Sequence, residues 1–336
     1  MTLKQLKYLL GVVDNGLNIT AAAERLYTSQ PGISKQLRLL EQELGVQIFS
    51  RKSKSLVGIT PTGATVIEYA RKIMRDVENI RSVGKDQMAA QDGMLSIATT
   101  HTQARYVLPE IISQFHERYP RVNLELHQGT SEQIAALVAE NRVDFAIATD
   151  SRSLFPELNL LPCYHWDRII LTKKDHPLAE SESPLTLDNL VKHPLITYVF
   201  SSNRESSFLR AFEAERLEPN VVFTARDADV IKTYVRMGMG VGVIAPMALQ
   251  CEDLDDLFAA SAKGLFPTVT TWLGVPRDRA LRRYMLDFIS MFAPHWPAES
   301  IELATTADSQ ETVDKLASGI DLPTNAGCTQ GMLVAA

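Results

Sequence analysis

Cysteine is scarce in this chain: Cys163, Cys251 and Cys328 are the only three in 336 residues, and they lie far apart. An odd number at such separations builds neither a disulfide framework nor a CxxC metal knuckle. Each is therefore expected to be a buried or idle thiol, as suits a reducing compartment. Long apolar runs are missing too. The longest, Gly240 to Leu249, is about half of the roughly 20 residues that span a bilayer. The opening MTLKQLKYLL lacks the uninterrupted apolar core and small residues of a signal peptide. The expectation is a cytoplasmic protein with no membrane partner. Seven histidines include no HExxH and no pair at metal-ligand spacing, and no GxSxG elbow occurs. Metallohydrolase and covalent-hydrolase chemistry therefore have no support, and the chain is expected to be no enzyme and to need no metal or cofactor.

What is present is unevenly distributed. Net charge is −6 overall, yet residues 1–92 carry 13 Lys+Arg against 9 Asp+Glu, leaving 21 against 31 for the rest. A head of net +4 on a body of net −10 suggests that the head alone meets a polyanion.

The head reads as helices. Leu3, Leu6, Leu10 and Val13 recur at helical spacing, Asn18 can cap ITAAAERL, and Ser29 can cap a third helix with Pro31 in its first turn. In that third helix Ile33, Leu37, Leu40 and Leu44 form a buried stripe, while Gln30, Ser34, Lys35 and Arg38 share another face and Gly45 closes the end. Two short helices and a tight turn with that polar face describe a helix-turn-helix. Gln can pair with adenine, and Lys with guanine or phosphate. Val46 to Phe49 then reads as a strand, followed by Arg51, Lys52 and Lys54 on a hairpin tip that could reach phosphate or the minor groove. The plain alternative is a solvated polar face.

The stretch AAAERLYTSQPGISKQLRLLEQELGVQIFSR, followed by ITPTG, resembles the winged helix-turn-helix of LysR-type transcriptional regulators. The resemblance implies that Ser29, Gln30, Pro31, Ser34 and Lys35 lie at the surface of double-stranded promoter DNA, with Arg51 in the wing. From Thr62 to about Ser82 a second pattern places Ile67, Ala70, Ile73, Met74, Val77 and Ile80 at spacings of three and four. This suits a coiled-coil seam or a helix packed on its own domain. The family resemblance favours a dimer linker, and a homotetramer as the assembly. The expected divisions are a winged head over 1–61, a linker helix and hinge over 62–92, one lobe from 93–163 with 266–296, a second over 164–265, and a tail over 297–336.

The body alternates strand and helix. Leu95–Ala98, Val122–His127 and Val143–Ala148 read as strands around helices at Leu108–Tyr119 and from a Ser131 cap to Val138. That βαβαβ order predicts a parallel sheet with right-handed crossovers. Arg168–Thr172, Leu195–Val199, Val221–Thr224 and Val241–Ala245 read as strands of a second α/β lobe, with Asp229–Met237 as a helix. Asp227 and Asp229 read as its caps or dipole partners. In GMGVGV the glycines follow a helix and enter a strand, the reverse of a dinucleotide fingerprint. Val269–Val275 and the helix Ala280–Phe292 return to the first lobe. Two lobes crossed twice form the fold of periplasmic binding proteins, which LysR-type effector domains share, with ligand between the lobes.

TTHTQARYVLP, residues 99–109, falls at the carboxyl end of the first body strand, where such a crevice opens. Its hydroxyls could hold a small anion without a lysine or arginine, or Thr100 or Thr102 could simply cap a helix. TTHTQARYVLP, DFAIAT, LPCYHWDR, DHPLA and FTARDADVIKTYVRMGMGVGVIA look like the CysB branch of the family, the sulfur-assimilation regulators. That resemblance covers residues 1 to about 296. It implies an effector pocket of Thr100, Thr102, Gln103, Thr149, Trp166 and, on the facing lobe, Ser202. It also implies an effector of the O-acetylserine, N-acetylserine, sulfate, thiosulfate or adenosine phosphosulfate class, and RNA polymerase as a partner. Where the branch reads Thr-Gly-Arg-Ser, this chain has Ser201-Ser202-Asn203-Arg204-Glu205-Ser206, which puts the identity of the effector in doubt. A LysR-type regulator of an unrelated pathway with another small anion is the alternative. The tail after Pro297 holds two short helical patterns that could pack on the body or hold it inactive.

Overall fold

The computed structural model describes residues 1–52, 55–85, 93–140, 142–149, 152–181, 184–202, 206–277 and 281–327. Lys54 lies outside these residues, and nothing is described of the Ser202 side chain. The chain forms two compact units, Met1–Met88 and Ala89–Ala336.

In the first unit, three helices are each started by a short polar side chain. Thr2 and Gln5 form a capping box on α1 (Leu3–Asp14), Asn18 accepts two amides of α2 (Ile19–Arg25), and Ser29 accepts Gly32 N on α3 (Gln30–Leu44). Their core is Leu6, Leu9, Val12, Ile33, Leu37 and Leu40, while Leu3 is 47 % exposed. Of the expected α1 stripe, Leu6 lies in the core and Leu10 and Val13 pack against it, while Leu3 falls outside and Leu9 and Val12 complete the buried face. Gly45, at φ +67°, closes α3, and Val46 N then bonds back to Glu41 O. That closing turn uses up the first residues of the expected strand. The hairpin accordingly begins later, as β1 (Phe49–Lys52) against β2 (Ser55–Ile59). A Cβ on Gly63 would stand 2.1 Å from Ile48 O, so the chain entering α4 (Pro61–Lys85) needs glycine there. Ile67 and Ala70 of α4 are buried against this core, whereas Ile80 is 72 % exposed. The helix therefore packs on its own unit in its first half and leaves apolar surface in its second.

The second unit holds two five-stranded sheets. The first lobe contains β3 (Gly93–Thr99), α5 (His101–Tyr106), α6 (Leu108–Arg118), β4 (Val122–Gln128), α7 (Ser131–Ala139), β5 (Phe145–Thr149) and β6 (Leu158–Trp166). The second contains β7 (Ile169–Lys173), α8 (Pro177–Glu180), α9 (Leu187–Leu190), β8 (Leu195–Tyr198), α10 (Ser207–Ala214), β9 (Val221–Ala225), α11 (Ala228–Arg236), β10 (Val241–Ile244) and β11 (Leu257–Ser261). The chain then returns through β12 (Val269–Pro276) and α12 (Arg283–Phe292). Sheet orders are β4-β3-β5-β12-β6 and β11-β7-β10-β8-β9. β3 is parallel to β4 and β5, and β8 to β9 and β10. The parallel strands of both sheets end toward the junction, which is where binding crevices form in such folds. Gly238, at φ +77°, turns the chain from α11 toward β10, as a loop and not a phosphate cradle.

The tail packs on the first lobe through α13 (Ala298–Thr305) and α14 (Gln310–Ala317). β6 is an edge strand containing Pro162, and the tail supplies its missing neighbour. His165 N donates to Pro323 O and Asn325 N donates to His165 O, while the Gln310 amide bonds both N and O of Leu160. Covering an edge in this way satisfies its backbone and blocks unwanted pairing. The fully buried Asn159 donates to Ala304 O and Ala307 O at 3.0 and 2.7 Å. Cys163 is a free thiol whose proton burial holds on well above its ordinary range. Cys251 is disulfide-bonded, which corrects the idle thiol expected of it, because separation along the chain says little about proximity in the fold.

Asn159→Leu is expected to lower stability by about 1–3 kcal/mol, since it leaves buried carbonyls without a donor. Urea titration combined with limited proteolysis checks this, with cuts appearing first between 298 and 320; an unchanged midpoint and cutting pattern would contradict the tail's anchoring role.

Candidate ligand cavity and nucleic-acid interface

On the head, Ser29, Gln30, Pro31, Lys35 and Arg38 are exposed and Ser34 half-buried, all along one side of α3. Gln30 Nε2 donates to Ser34 Oγ at 3.1 Å, a weak contact that a base edge could replace. Gln30, Pro31, Ser34, Arg38 and Arg51 share one concavity, so the helix face and the wing present a single surface. Arg51 and Lys52 are both exposed, but Arg51 is held by Glu41, whose other oxygen accepts the amides of Ile48 and Phe49. Glu41 thus fixes both the backbone and the side-chain direction of the wing's base. Sequence reasoning passed over it because a glutamate on a basic surface reads as ordinary solvation.

In the second unit a cavity of about 230 Å³ lies between the lobes. The first lobe contributes Thr100, His101, Thr102, Gln128, Gly129, Thr130, Ser131 and Thr149, and the second Val199, Phe200 and Arg226. Thr100 occupies the N-cap position of α5, yet its side chain makes no capping bond. Simple capping therefore does not account for it, and its hydroxyl is available to a guest. Thr130, not Ser131, caps α7, in a capping box with Gln133. The first turn of α7 points the positive end of its peptide dipoles toward the cavity.

The other expected pocket residues fall behind this wall. Gln103 and Trp166 are buried and absent from the lining. Tyr164 donates to Gln103, and Trp166 Nε1 donates to Thr271 Oγ1 at 3.2 Å. Together they brace the wall from inside the sheet. The expectation of an anion site without lysine or arginine also changes, because Arg226 brings a guanidinium from the opposite lobe. His101 adds an unsatisfied group: Nδ1 is buried with no partner among the described residues, while Nε2 is 3.4 Å from Asp227 of the other lobe. FTARDADVIK held the signal for Arg226, but nothing in spacing says which crevice an exposed arginine faces.

Beside the cavity, α5 and the start of α11 meet across the junction. Asp227 caps α11 by accepting Asp229 N at 2.8 Å, as expected. Asp229 instead accepts Tyr106 O–H at 2.6 Å and pairs with Arg105 at 2.5 Å. Lys232, 2 % exposed, lies 3.0 Å from Asp229 and 2.7 Å from Asp253, and Arg236 pairs with Asp253 and Asp256. Burial by itself would raise the Asp253 carboxyl. The bonds from Lys232, Arg236 and Gln250 N outweigh it and hold the group below its ordinary value of 3.8. Asp229 is lowered in the same way by Tyr106, Lys232 and Arg105.

The family follows from comparison. Residues 3–64 match the model of the bacterial regulatory helix-turn-helix protein, lysR family, and residues 89–297 match that of the LysR substrate binding domain. The chain belongs to the LysR family of bacterial regulators. Among individual proteins it is 44 % identical over 324 residues to the HTH-type transcriptional regulator CysB of Haemophilus influenzae, covering 96 % of this chain and 100 % of that one. It is 43 % identical over 296 residues to SsuR of Burkholderia cenocepacia, covering 88 % and 96 %. It is 38 % identical over 314 residues to cbl of Escherichia coli, covering 94 % and 99 %. The crystal structure of the cofactor-binding domain of the Cbl transcriptional regulator superposes with a TM-score of 0.60 at 39 % identity, over 65 % of this chain and 95 % of that one. A full-length OxyR from Pseudomonas aeruginosa, at 21 % identity and a TM-score of 0.68 over 91 % and 96 %, shares the fold. The chain is thus a transcriptional regulator with a DNA-binding head and a small-molecule-binding body, and no helix among the described residues is long and apolar enough to cross a membrane.

Because Asp229 and Asp253 titrate below 3.8 when folded, their contribution is complete above that value and is lost as pH falls through the depressed folded values. The body's melting temperature is expected to hold from neutrality to about pH 5 and then drop, with Asp253→Asn giving a shallower acid limb from a lower start. Parallel acid limbs in wild type and variant would remove Asp253 from the account.

Proposed function

We propose that this chain controls sulfur-assimilation genes in response to a small anion held between its two lobes. The observation that carries the reading is the cavity itself. Thr100, Thr102 and Thr149 of one lobe and Arg226 of the other line it, in a chain 44 % identical to CysB. Hydroxyl donors, a helix N-terminus and one guanidinium bind an anion reversibly without burying a full ion pair. Val199 and Phe200 give an apolar patch for a short carbon segment. A cavity of about 230 Å³ suits a small guest of the size of sulfate, thiosulfate or an acetylserine. Gln103 and Trp166 then act by supporting Thr102 and the sheet.

The head is the reader of promoter DNA, with Gln30, Ser34, Lys35 and Arg38 toward the bases and Arg51 and Lys52 toward phosphate. The second half of α4 serves as the linker through which copies pair, in a homotetramer that presents several heads and meets RNA polymerase at the promoter. The protein works in the cytoplasm.

Thermal unfolding of the full chain against sulfate, thiosulfate, O-acetylserine and N-acetylserine tests the cavity. A ligand at ~100 times its dissociation constant stabilises by ~2.7 kcal/mol, and Thr102→Val and Arg226→Ala are each expected to abolish that shift. A shift that survives both variants would move the site elsewhere. For the head, Lys35→Ala is expected to weaken operator binding and to relax sequence preference at the base pair it reads. Intact operator affinity in the folded variant would rule out that role.

A further inference from the structure

Every cavity threonine that precedes or opens α5 belongs to the first lobe, but the far end of α5 is held by the second. That end carries Arg105 and Tyr106, and both bind the one carboxylate of Asp229 at the start of α11. Tyr106 packs against the cores of both lobes. The Lys232 ammonium stands 5.5 Å from the centre of its ring while bonding Asp229, Asp253 and Ala248 O. Asp229 is therefore pulled from two directions, by a buried cation of its own lobe and by two side chains of the other. A six-residue helix has little stability of its own, so its place depends on such contacts.

We propose that Asp229 is a positioning residue for effector capture: from the second lobe it holds α5 where Thr100 and Thr102 face the cavity, so that ordering one wall and docking the lobes are a single event. This rests on the effector reading of the cavity given above. Asp229 touches no ligand in this scheme and lies outside the cavity lining. Its effect on affinity is the fraction of molecules in which α5 is seated, because apparent affinity scales with the population of the competent form.

The test uses the full chain with Tyr106→Phe, which keeps the ring but removes the bond to Asp229, and with Asp229→Asn and Asp229→Glu. Amide hydrogen exchange is measured without ligand, and binding is measured with sulfate and N-acetylserine as probes. Tyr106→Phe and Asp229→Asn are expected to speed exchange across residues 101–107 by about tenfold, leaving residues 195–198 and 221–225 unchanged. Both should weaken the probe that binds wild type by a similar factor, and Asp229→Glu should recover part of each loss. A merely structural role would loosen the whole second lobe alike. Exchange at 101–107 unchanged in both variants, or faster exchange with affinity intact, overturns the proposal. If wild type binds neither probe the effector reading fails on its own, and the exchange comparison still decides whether Asp229 seats α5.

Discussion

A lysine ammonium with 2 % of its surface exposed has to be matched by carboxylates, and around Lys232 that requirement organises the junction of the two lobes. An unpaired buried charge is costly, whereas a paired one is tolerated only when each partner is correctly placed. Asp253 comes from the segment after β10 and also receives Arg236, and Asp229 comes from the same helix as Lys232. Asp229 has capacity left over for Tyr106 and Arg105 of the first lobe. One desolvated cation thus fixes the start of α11, and through it the short helix beside the cavity. This polar cluster adds directional contacts to the apolar packing between the lobes.

The cavity follows a different logic from the cluster behind it. Among the described residues its wall offers hydroxyls from one lobe and the exposed Arg226 from the other, an arrangement that an anionic guest would complete. A site prefilled with a matched carboxylate would bind nothing. Asp227 comes near to that role but pairs with His101 at 3.4 Å, a longer and weaker contact than the 2.5 to 2.7 Å bonds of the neighbouring cluster.

Much of this was legible in the residues. Apolar periodicity and short polar caps located α2, α3, β3, β4, β5, β8 and α11, because those elements obey local rules. β6 and β11 were missed for a physical reason. LNLLPCYHW is buried along nearly its whole length, so it shows no alternation, and its proline marks an edge whose cover includes a residue 150 positions away. Leu3 alone of the expected α1 stripe is exposed, in the first turn of the helix. In the cavity, the three threonines could be placed from the strand ends on which they stand. Arg226 could not, and neither could the retreat of Gln103 and Trp166 behind the wall, since each depends on how two lobes meet. Asp229 read as a helix-dipole partner, which its position permits; its second use needs Tyr106 opposite, 123 residues away.

An effector can move the lobes only by the difference in its affinity for two arrangements. Because donors come from both sides, a bound anion gains contacts to Arg226 and the threonines together only when the lobes are docked. Shifting a population from 1:99 to 99:1 requires ~5.5 kcal/mol of such difference. The threonine hydroxyls share one lobe and can bind in either arrangement, so only the charge-assisted contact to Arg226, roughly 1.5–3 kcal/mol net, counts toward that difference and moves the balance part of the way. A smaller guest that met only the threonines would gain no such difference, binding without switching. On the proposed effector reading, the division of the donors between lobes would let the cavity separate ligands that merely bind from ligands that signal.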